Sequence, residues 1–478
     1  MANVVFIQRL WYEYPGTGYL SAILRKHGHS TRVIIEESPR RIVKRLLPGD
    51  IAAFSVMTGM HHWALGIASH IKKTLGLMTV FGGPHPTYFP DVIEKDAADI
   101  ICRGEGEYAL LDLANAIDNE RDFDKIANLW VKSAGTIHKN PLRPLIDDLD
   151  TLPLQDRQLY YDAYPPLKKS ANKIFIAGRG CPFECTFCFN EKLKKMYAGL
   201  GRYVRFRSPA NVIDEIRSVM ERYPIKTIFF NDDIFILDRK WLEQLLPLYR
   251  NKIKLPFCAQ ARADTLNEDI VKLLKEAGCR TVSFAIESGN EEIRRGVLGK
   301  NITDDEIIEA AALLKKHGIS FATYNIVGIP GETAEDALKT VDINIKIGTD
   351  YPRCSFLTPY PGTRIAEYAG KMGYLETSVD SIAPFSQQSG SIIKLKDKNR
   401  IINIHSFFQA MVLFPALRPL IRMLIKLPAN IFFRTWWAFF YIIIFTRSEG
   451  RSFRDTLSFV VRLLGTYKRQ RRPEHAKT

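Results

Sequence analysis

Short apolar runs alternate with helical patterns along most of this chain, which leaves it few folds other than parallel sheets flanked by helices. In the first series, Val4–Ile7, Val33–Ile35, Ile51–Val56, Met78–Phe81 and Asp99–Cys102 read as buried strands. Tyr19–His27, Trp63–Lys73 and Glu107–Ile117 read as the helices between them, and Gly28 fits a helix C-terminus. The order predicts a doubly wound, Rossmann-like parallel sheet over residues 1–140. The stretch 141–170 is rich in Asp, Pro and Tyr, has little periodicity and reads as a connection.

The second series runs from 171 to about 365. Its strands are Lys173–Ala177, Thr227–Asn231, Phe257–Ala261, Thr281–Ile286, Phe321–Val327 and Arg353–Leu357. Its helices include Pro209–Glu221, Trp241–Tyr249, Glu268–Glu276, Asp304–Lys316 and Ala334–Ile347. With 478 residues, about three domains are expected: 1–140, 171–390 and a tail 391–478. A chain that is 46% hydrophobic and 25% charged is neither disordered nor a multi-span membrane bundle. Its start, Met1–Ile7, reads as a strand with no basic, cleavable leader. A cytoplasmic, reducing environment is therefore expected, and the seven Cys read as metal ligands or core residues.

Where the first strand of the second series ends, Cys181, Cys185 and Cys188 follow at spacing Cys-x3-Cys-x2-Cys. Thiolates so close in one loop can wrap an iron–sulfur cluster. A four-iron cluster normally takes four, so three leave one iron open. A zinc site would need a fourth ligand elsewhere. No second Cys pair exists, and Cys102, Cys258, Cys279 and Cys354 stand alone in apolar contexts. Polar residues collect at the ends of the following strands: Asn231-Asp232-Asp233, then Gln260 and Arg262, then Glu287-Ser288-Gly289. Val327–Thr333 and Pro359–Thr363 complete the set. Strand C-termini are where parallel barrels hold their ligands. Any one such carboxylate is more often a helix cap.

The Cys loop, with Phe187 before its last Cys, resembles the radical SAM signature, and the six strand–helix units suit that family's partial (β/α)6 barrel. The resemblance implies a 4Fe-4S cluster on Cys181, Cys185 and Cys188 whose open iron chelates S-adenosylmethionine. One electron, from a reductant such as flavodoxin or ferredoxin, would then give a 5′-deoxyadenosyl radical. It also implies cofactor contacts: Phe187 near the adenine, Asp232 and Asp233 near the amino group, Glu287 and Ser288 near the ribose or carboxylate. Gly328 to Gly331 would pass the adenine, and Arg262 joins this set.

Three loops of the first series are Gly-rich: Pro15–Gly18, Gly82–Thr87 and Gly104–Glu107. Tight turns would explain them. They also resemble the cobalamin-binding domain that precedes many radical SAM domains, which implies cobalamin contacts at Gly16, Gly18, Gly82, Gly83, His85, Gly104, Glu105 and Gly106. The Asp-x-His-x-x-Gly motif that gives cobalt a lower His ligand is missing after the first strand. No Gly-x-Gly-x-x-Gly follows that strand either, so a dinucleotide is not expected.

Residues 401–478 hold 13 Lys and Arg against 3 Asp and Glu, so they carry +10 of the net +15. Arg418, Arg422 and Lys426 fall in one helical stripe. Thr435–Thr446 is an uncharged run of 12 residues, short of the roughly 20 that span a bilayer. A basic, aromatic, amphipathic tail suits attachment to an anionic membrane surface on its cytoplasmic side. A helical cap on the barrel is the alternative. Nucleic acid is not expected, since no RNA-binding module accompanies the charge. The expected activity is cobalamin-dependent radical methylation of an unactivated carbon on a lipid-like substrate. The alternatives are a non-methylating oxidative cyclase or rearrangement enzyme, and a non-enzymatic iron–sulfur and cobalamin sensor at the membrane.

Overall fold

The structure, a computed structural model, describes residues 1–378, 382 and 390–449. The basic chain end at 468–472 lies outside the described residues. Two compact units emerge, one holding the described residues of 1–226, 230–254 and 358–386, the other those of 227–229, 255–357 and 387–478.

The first unit is built on a seven-stranded sheet. Its strands are β1 (Asn3–Gln8), β2 (Ser30–Ile35), β3 (Asp50–Ser55), β4 (Thr79–Gly82), β5 (Ile100–Cys102), β6 (Leu129–Ser133) and β7 (Thr136–Lys139), in the order β2-β1-β3-β4-β5-β6-β7. β1 to β5 run parallel. Alternate residues feed two cores. Val4, Phe6, Ile51 and Ala53 lie in one, while Val5, Ile7, Ala52 and Phe54 lie in the other. Both faces are therefore covered, which is why these strands read as unbroken apolar runs.

The sequence reading lacked β6 and β7, an antiparallel hairpin at the sheet edge. Its turn places Ala134 and Gly135 both at positive φ, the geometry of a two-residue hairpin turn. The stretch 141–170 carries the helices Gln158–Ala163 and Pro165–Lys169. Its Leu152, Leu159, Tyr160 and Tyr161 belong to the core of the first sheet. Tyr160 Oη donates to Gln8 Oε1 at 2.9 Å.

The second sheet contains β8 (Asn172–Phe175), β11 (Thr227–Phe230), β12 (Phe257–Ala261), β13 (Cys279–Glu287), β14 (Ser320–Val327) and β15 (Tyr351–Phe356), in the order β15-β14-β13-β12-β11-β8. β9 (Gly178–Arg179) and β10 (Arg205–Phe206) form a separate antiparallel pair. β11 to β15 are parallel. The sheet curls without closing, as a partial barrel. The intervening helices start at side-chain caps. Thr303 and Thr333 form complete capping boxes with Glu306 and Asp336.

In the second unit the helix Lys398–Leu413 covers β15 and the helix Ala334–Ile347. Ile401, Ile404, Phe408 and Met411 are fully buried there. The front of the tail is thus part of the core of the second unit. No helix among the described residues is long and apolar enough to cross a membrane.

Candidate functional site

The Cys loop grows out of the β9–β10 hairpin. Gly180 sits at φ 89°, and a Cβ there would fall 2.3 Å from the Tyr203 carbonyl, so only glycine fits the entry to the loop. Cys181, Cys185 and Cys188 are all half-buried and free of disulfides. The Cys188 amide donates to the Cys185 carbonyl at 3.1 Å. Cys188 then caps the helix Phe189–Met196, its Sγ accepting from the Asn190 backbone amide and from Asn190 Nδ2.

Burial pushes the Cys181 thiol up to about 11, and the neighbouring Asp233, Cys188 and Cys185 add to this. Burial also raises Cys188, against the amide donors of Asn190. Two thiols of one loop, Cys181 and Cys188, that resist ionisation alone suit a cationic iron centre, which would supply the charge that makes them thiolates. Among the described residues no three His, Cys, Asp or Glu converge closely enough to hold a single metal ion. Three thiols in one loop at Cys-x3-Cys-x2-Cys spacing supply the ligand type an iron–sulfur cluster takes.

Asn190, absent from the sequence reading, links the loop to its surroundings. Its Nδ2 also donates to Asp233 Oδ2 at 3.2 Å, and its Oδ1 accepts from Tyr203 Oη at 2.6 Å. Phe187 is half-buried in the same loop. Phe189 stacks on Tyr88 at 4.1 Å and meets the tilted Tyr360 ring at 5.6 Å.

The two aspartates behave differently. Asp232 is buried, and its Oδ1 accepts from the amides of Ala177 (2.9 Å) and Gly178 (2.6 Å). Burial raises it to about 7. Its carboxyl pins the strand that leads into the Cys loop. Asp233 is exposed and faces Asn190.

The Gly-Glu-Gly-Glu loop after β5 is tied to the same hairpin. Glu105 accepts from Arg179 (2.9 Å), from Arg205 (2.9 and 3.1 Å) and from the Ile146 amide (2.9 Å); Glu107 accepts from Arg179 (2.6 Å). Burial would raise Glu105, but the two guanidinium groups outweigh it and hold its pKa below the usual value. Glu105 thus works as a clamp on β9–β10. Gly104 is needed for close approach, since a Cβ would fall 1.8 Å from Tyr197 Oη. Gly106 lies against Cys102 and Leu20, Gly18 against Gln155, and Gly83 against the backbone of Val56. Gly82 meets only Cys102 Cβ, and nothing stands within 4 Å of a Cβ on Gly16.

A small cleft opens where β1 and β3 end, lined by Gln8, Arg9, Tyr14, Met57, Met60 and Trp63. The strand order changes direction between these two strands, the usual ligand crevice of a doubly wound sheet. At the neighbouring end of β4, His85 stacks on His61 at 4.1 Å and meets Thr58 Oγ1 at 3.1 Å. Burial, with His61 and His62 beside it, lowers His85 to about 3, so its imidazole is neutral. A neutral imidazole and a crevice at the switch point, lined by both apolar and polar side chains, stand where such a sheet holds a ligand.

In the second unit, Glu287 ends β13 at φ 68°, a strained conformation for a side chain other than glycine, and pairs with Lys300 at 3.1 Å. Ser288 is fully buried, and its carbonyl accepts from the buried Arg294 at 2.7 Å. Arg262 is held by both Asp264 oxygens at 2.8 and 3.0 Å. Gln260 lies 3.4 Å from Tyr324 Oη. After β14, Glu332 Oε2 accepts from the amides of Gly328 (2.5 Å) and Ile329 (3.2 Å), and burial pushes Glu332 up to about 8. Gly328 and Gly331 both sit at positive φ in this loop.

Comparison with known proteins agrees with this geometry. The radical SAM superfamily profile matches residues 175–343, and the B12 binding domain profile matches residues 13–114. An uncharacterized methyltransferase of Pyrococcus horikoshii is 32% identical over 369 residues, 74% of this chain and 78% of its own. The anaerobic magnesium-protoporphyrin IX monomethyl ester cyclase of Rubrivivax gelatinosus is 27% identical over 375 residues, 74% of this chain and 65% of the cyclase. Among solved structures, the cobalamin-dependent S-adenosylmethionine radical enzyme OxsB, with aqua-cobalamin and S-adenosylmethionine bound, matches with a TM-score of 0.66. The match has 18% identity and covers 93% of this chain and 72% of OxsB.

Proposed function

We infer that this chain, which belongs to the radical SAM superfamily and carries a B12 binding domain ahead of its radical SAM domain, methylates an unactivated carbon of a lipid-like substrate. The cofactors of this family are a 4Fe-4S cluster, S-adenosylmethionine and cobalamin. When bound, the cluster supplies the electron that turns S-adenosylmethionine into a 5′-deoxyadenosyl radical, and cobalamin supplies a transferable methyl group.

The observation that carries the reading is the 32% identity, over most of both chains, to a protein named as a methyltransferase. The chain's residues take the following parts. Cys181, Cys185 and Cys188 are the cluster ligands, and Asn190 directs two N–H groups at the Cys188 sulfur. Asp232 and the Glu105–Arg179–Arg205 clamp hold the strand and hairpin from which the loop projects. Phe187 and Asp233 in the first unit are candidates to contact S-adenosylmethionine, and so, taken by themselves, are Arg262, Glu287, Ser288, Gly328 and Gly331 in the second. The β1/β3 crevice, with the loops at Gly16, Gly83, His85 and Gly104, is the candidate seat of cobalamin.

The chain's 27% identity to the anaerobic cyclase favours a second reading, oxidative ring closure. The test is an anaerobic incubation of the reconstituted protein with S-adenosylmethionine carrying a labelled methyl group and with a lipid extract. Label recovered in one lipid species is the expected result. A product that gains a ring or unsaturation and no label would replace methylation by cyclisation.

A further inference from the structure

The last described helix, Ile431–Glu449, is apolar on both faces. Its inner face is accounted for. Phe433 and Phe440 pack against the core of helix Lys398–Leu413, Trp437 stacks on His405 at 5.5 Å, and Ile444 is 3% exposed. The outer face carries Phe432, Trp436 and Phe439, at i, i+4 and i+7, and these are 78%, 40% and 60% exposed.

The preceding helix, Arg418–Leu424, repeats the pattern, with Ile421 inward at 3% and Leu420 and Met423 outward at 56% and 69%. Trp436 and Phe439 both touch the Phe440 ring, so the outward aromatics are continuous. Single exposed apolar residues need no explanation. Five on two successive helices do, because a helix facing water normally turns charged residues outward.

Charge selects the occupant. No Asp or Glu occurs between residues 401 and 448, whereas five Lys and Arg do. Arg418 and Arg422 reach back to Asp342 and Glu335, while Lys426 and Arg434 are exposed beside the apolar face. A second copy of this chain would bring like charge against like. An anionic lipid surface offers acyl chains to the apolar face, phosphates to the bases and an interfacial zone for the Trp436 indole. We propose that the outer faces of Arg418–Leu424 and Ile431–Glu449 form a docking surface that lies in the plane of an anionic bilayer. The proposal holds whether the radical chemistry methylates or cyclises.

The test is flotation of the full-length, cofactor-loaded protein with vesicles of phosphatidylcholine alone and of an equal mixture with phosphatidylglycerol. The wild type should float with the mixed vesicles and poorly with the neutral ones. Met423→Ser/Phe432→Ser/Phe439→Ser should lower the bound fraction at least about tenfold, from lost apolar burial. Lys426→Glu/Arg434→Glu should do the same through charge and carries the test if the first variant fails to fold. Absence of wild-type flotation, or unchanged flotation of both variants, overturns the proposal. Self-association that the triple variant abolishes, without vesicle binding, also overturns it and assigns the face to a second copy.

Discussion

Asn190 meets the Cys loop at the Cys188 sulfur. Two N–H groups aimed at one sulfur would stabilise the charge of a ligating thiolate, and hydrogen bonds to sulfur are among the settings of a cluster's potential. Asn190→Ala should keep the iron content and make the midpoint potential more negative, measured by redox titration of the cluster signal. An unchanged potential would leave Asn190 a purely structural cap. Glu332 makes a second prediction. Its pKa of about 8 lies above the usual carboxyl value of 4.5. Over that window the unfolded chain has released a proton that the folded chain retains. Raising the pH from 4.5 to 8 therefore costs stability, with a limiting slope of about 1.4 kcal/mol per pH unit. Glu332→Gln, which keeps an acceptor for the Gly328 and Ile329 amides, should lose this component. The check is the difference in urea midpoint between wild type and variant at pH 5 and pH 8.

At the scale of elements, the clamp and the covering helix are the testable parts. Arg205→Met leaves Glu105 with Arg179 and one amide. It should cost about 2–4 kcal/mol and lower the iron retained, because the β9–β10 hairpin carries the Cys loop. Phe408→Ala, in a fully buried position, should cost about 3–5 kcal/mol, whereas Phe432→Ser on the outer face should change stability by about 0.5 kcal/mol or less. Thermal midpoints separate the two. These elements also show what could be read from residues alone. The strands of both series and the helices Glu268–Glu276, Asp304–Lys316 and Ala334–Ile347 were legible, because burial on both faces and regular amphipathicity leave strong patterns. The β6–β7 hairpin was not, since Ala134 occupies a turn position that Asn or Gly normally advertises. Helix Lys398–Leu413 buries polar residues such as Asn403 and His405 among its apolar ones, which blurs its period. In the candidate site the three Cys were legible from spacing. The Glu105–Arg179–Arg205 clamp was not, because it joins residues up to 100 positions apart, and nothing local marks such a pair.

At the scale of the molecule, a B12 binding domain and a radical SAM domain share one chain. Neither alone predicts methyl transfer. A cluster and S-adenosylmethionine suffice for radical formation, and what the cobalamin domain adds, methyl transfer or ring closure, is what the products must decide. The most direct measurement is the pair of S-adenosylmethionine products from one anaerobic reaction containing the reconstituted protein, reductant, cobalamin and lipid extract. The account predicts that 5′-deoxyadenosine and S-adenosylhomocysteine rise together, depend on the extract, and both vanish in Cys185→Ala. 5′-Deoxyadenosine without S-adenosylhomocysteine would contradict methyl transfer, and 5′-deoxyadenosine persisting in Cys185→Ala would contradict the assignment of the cluster.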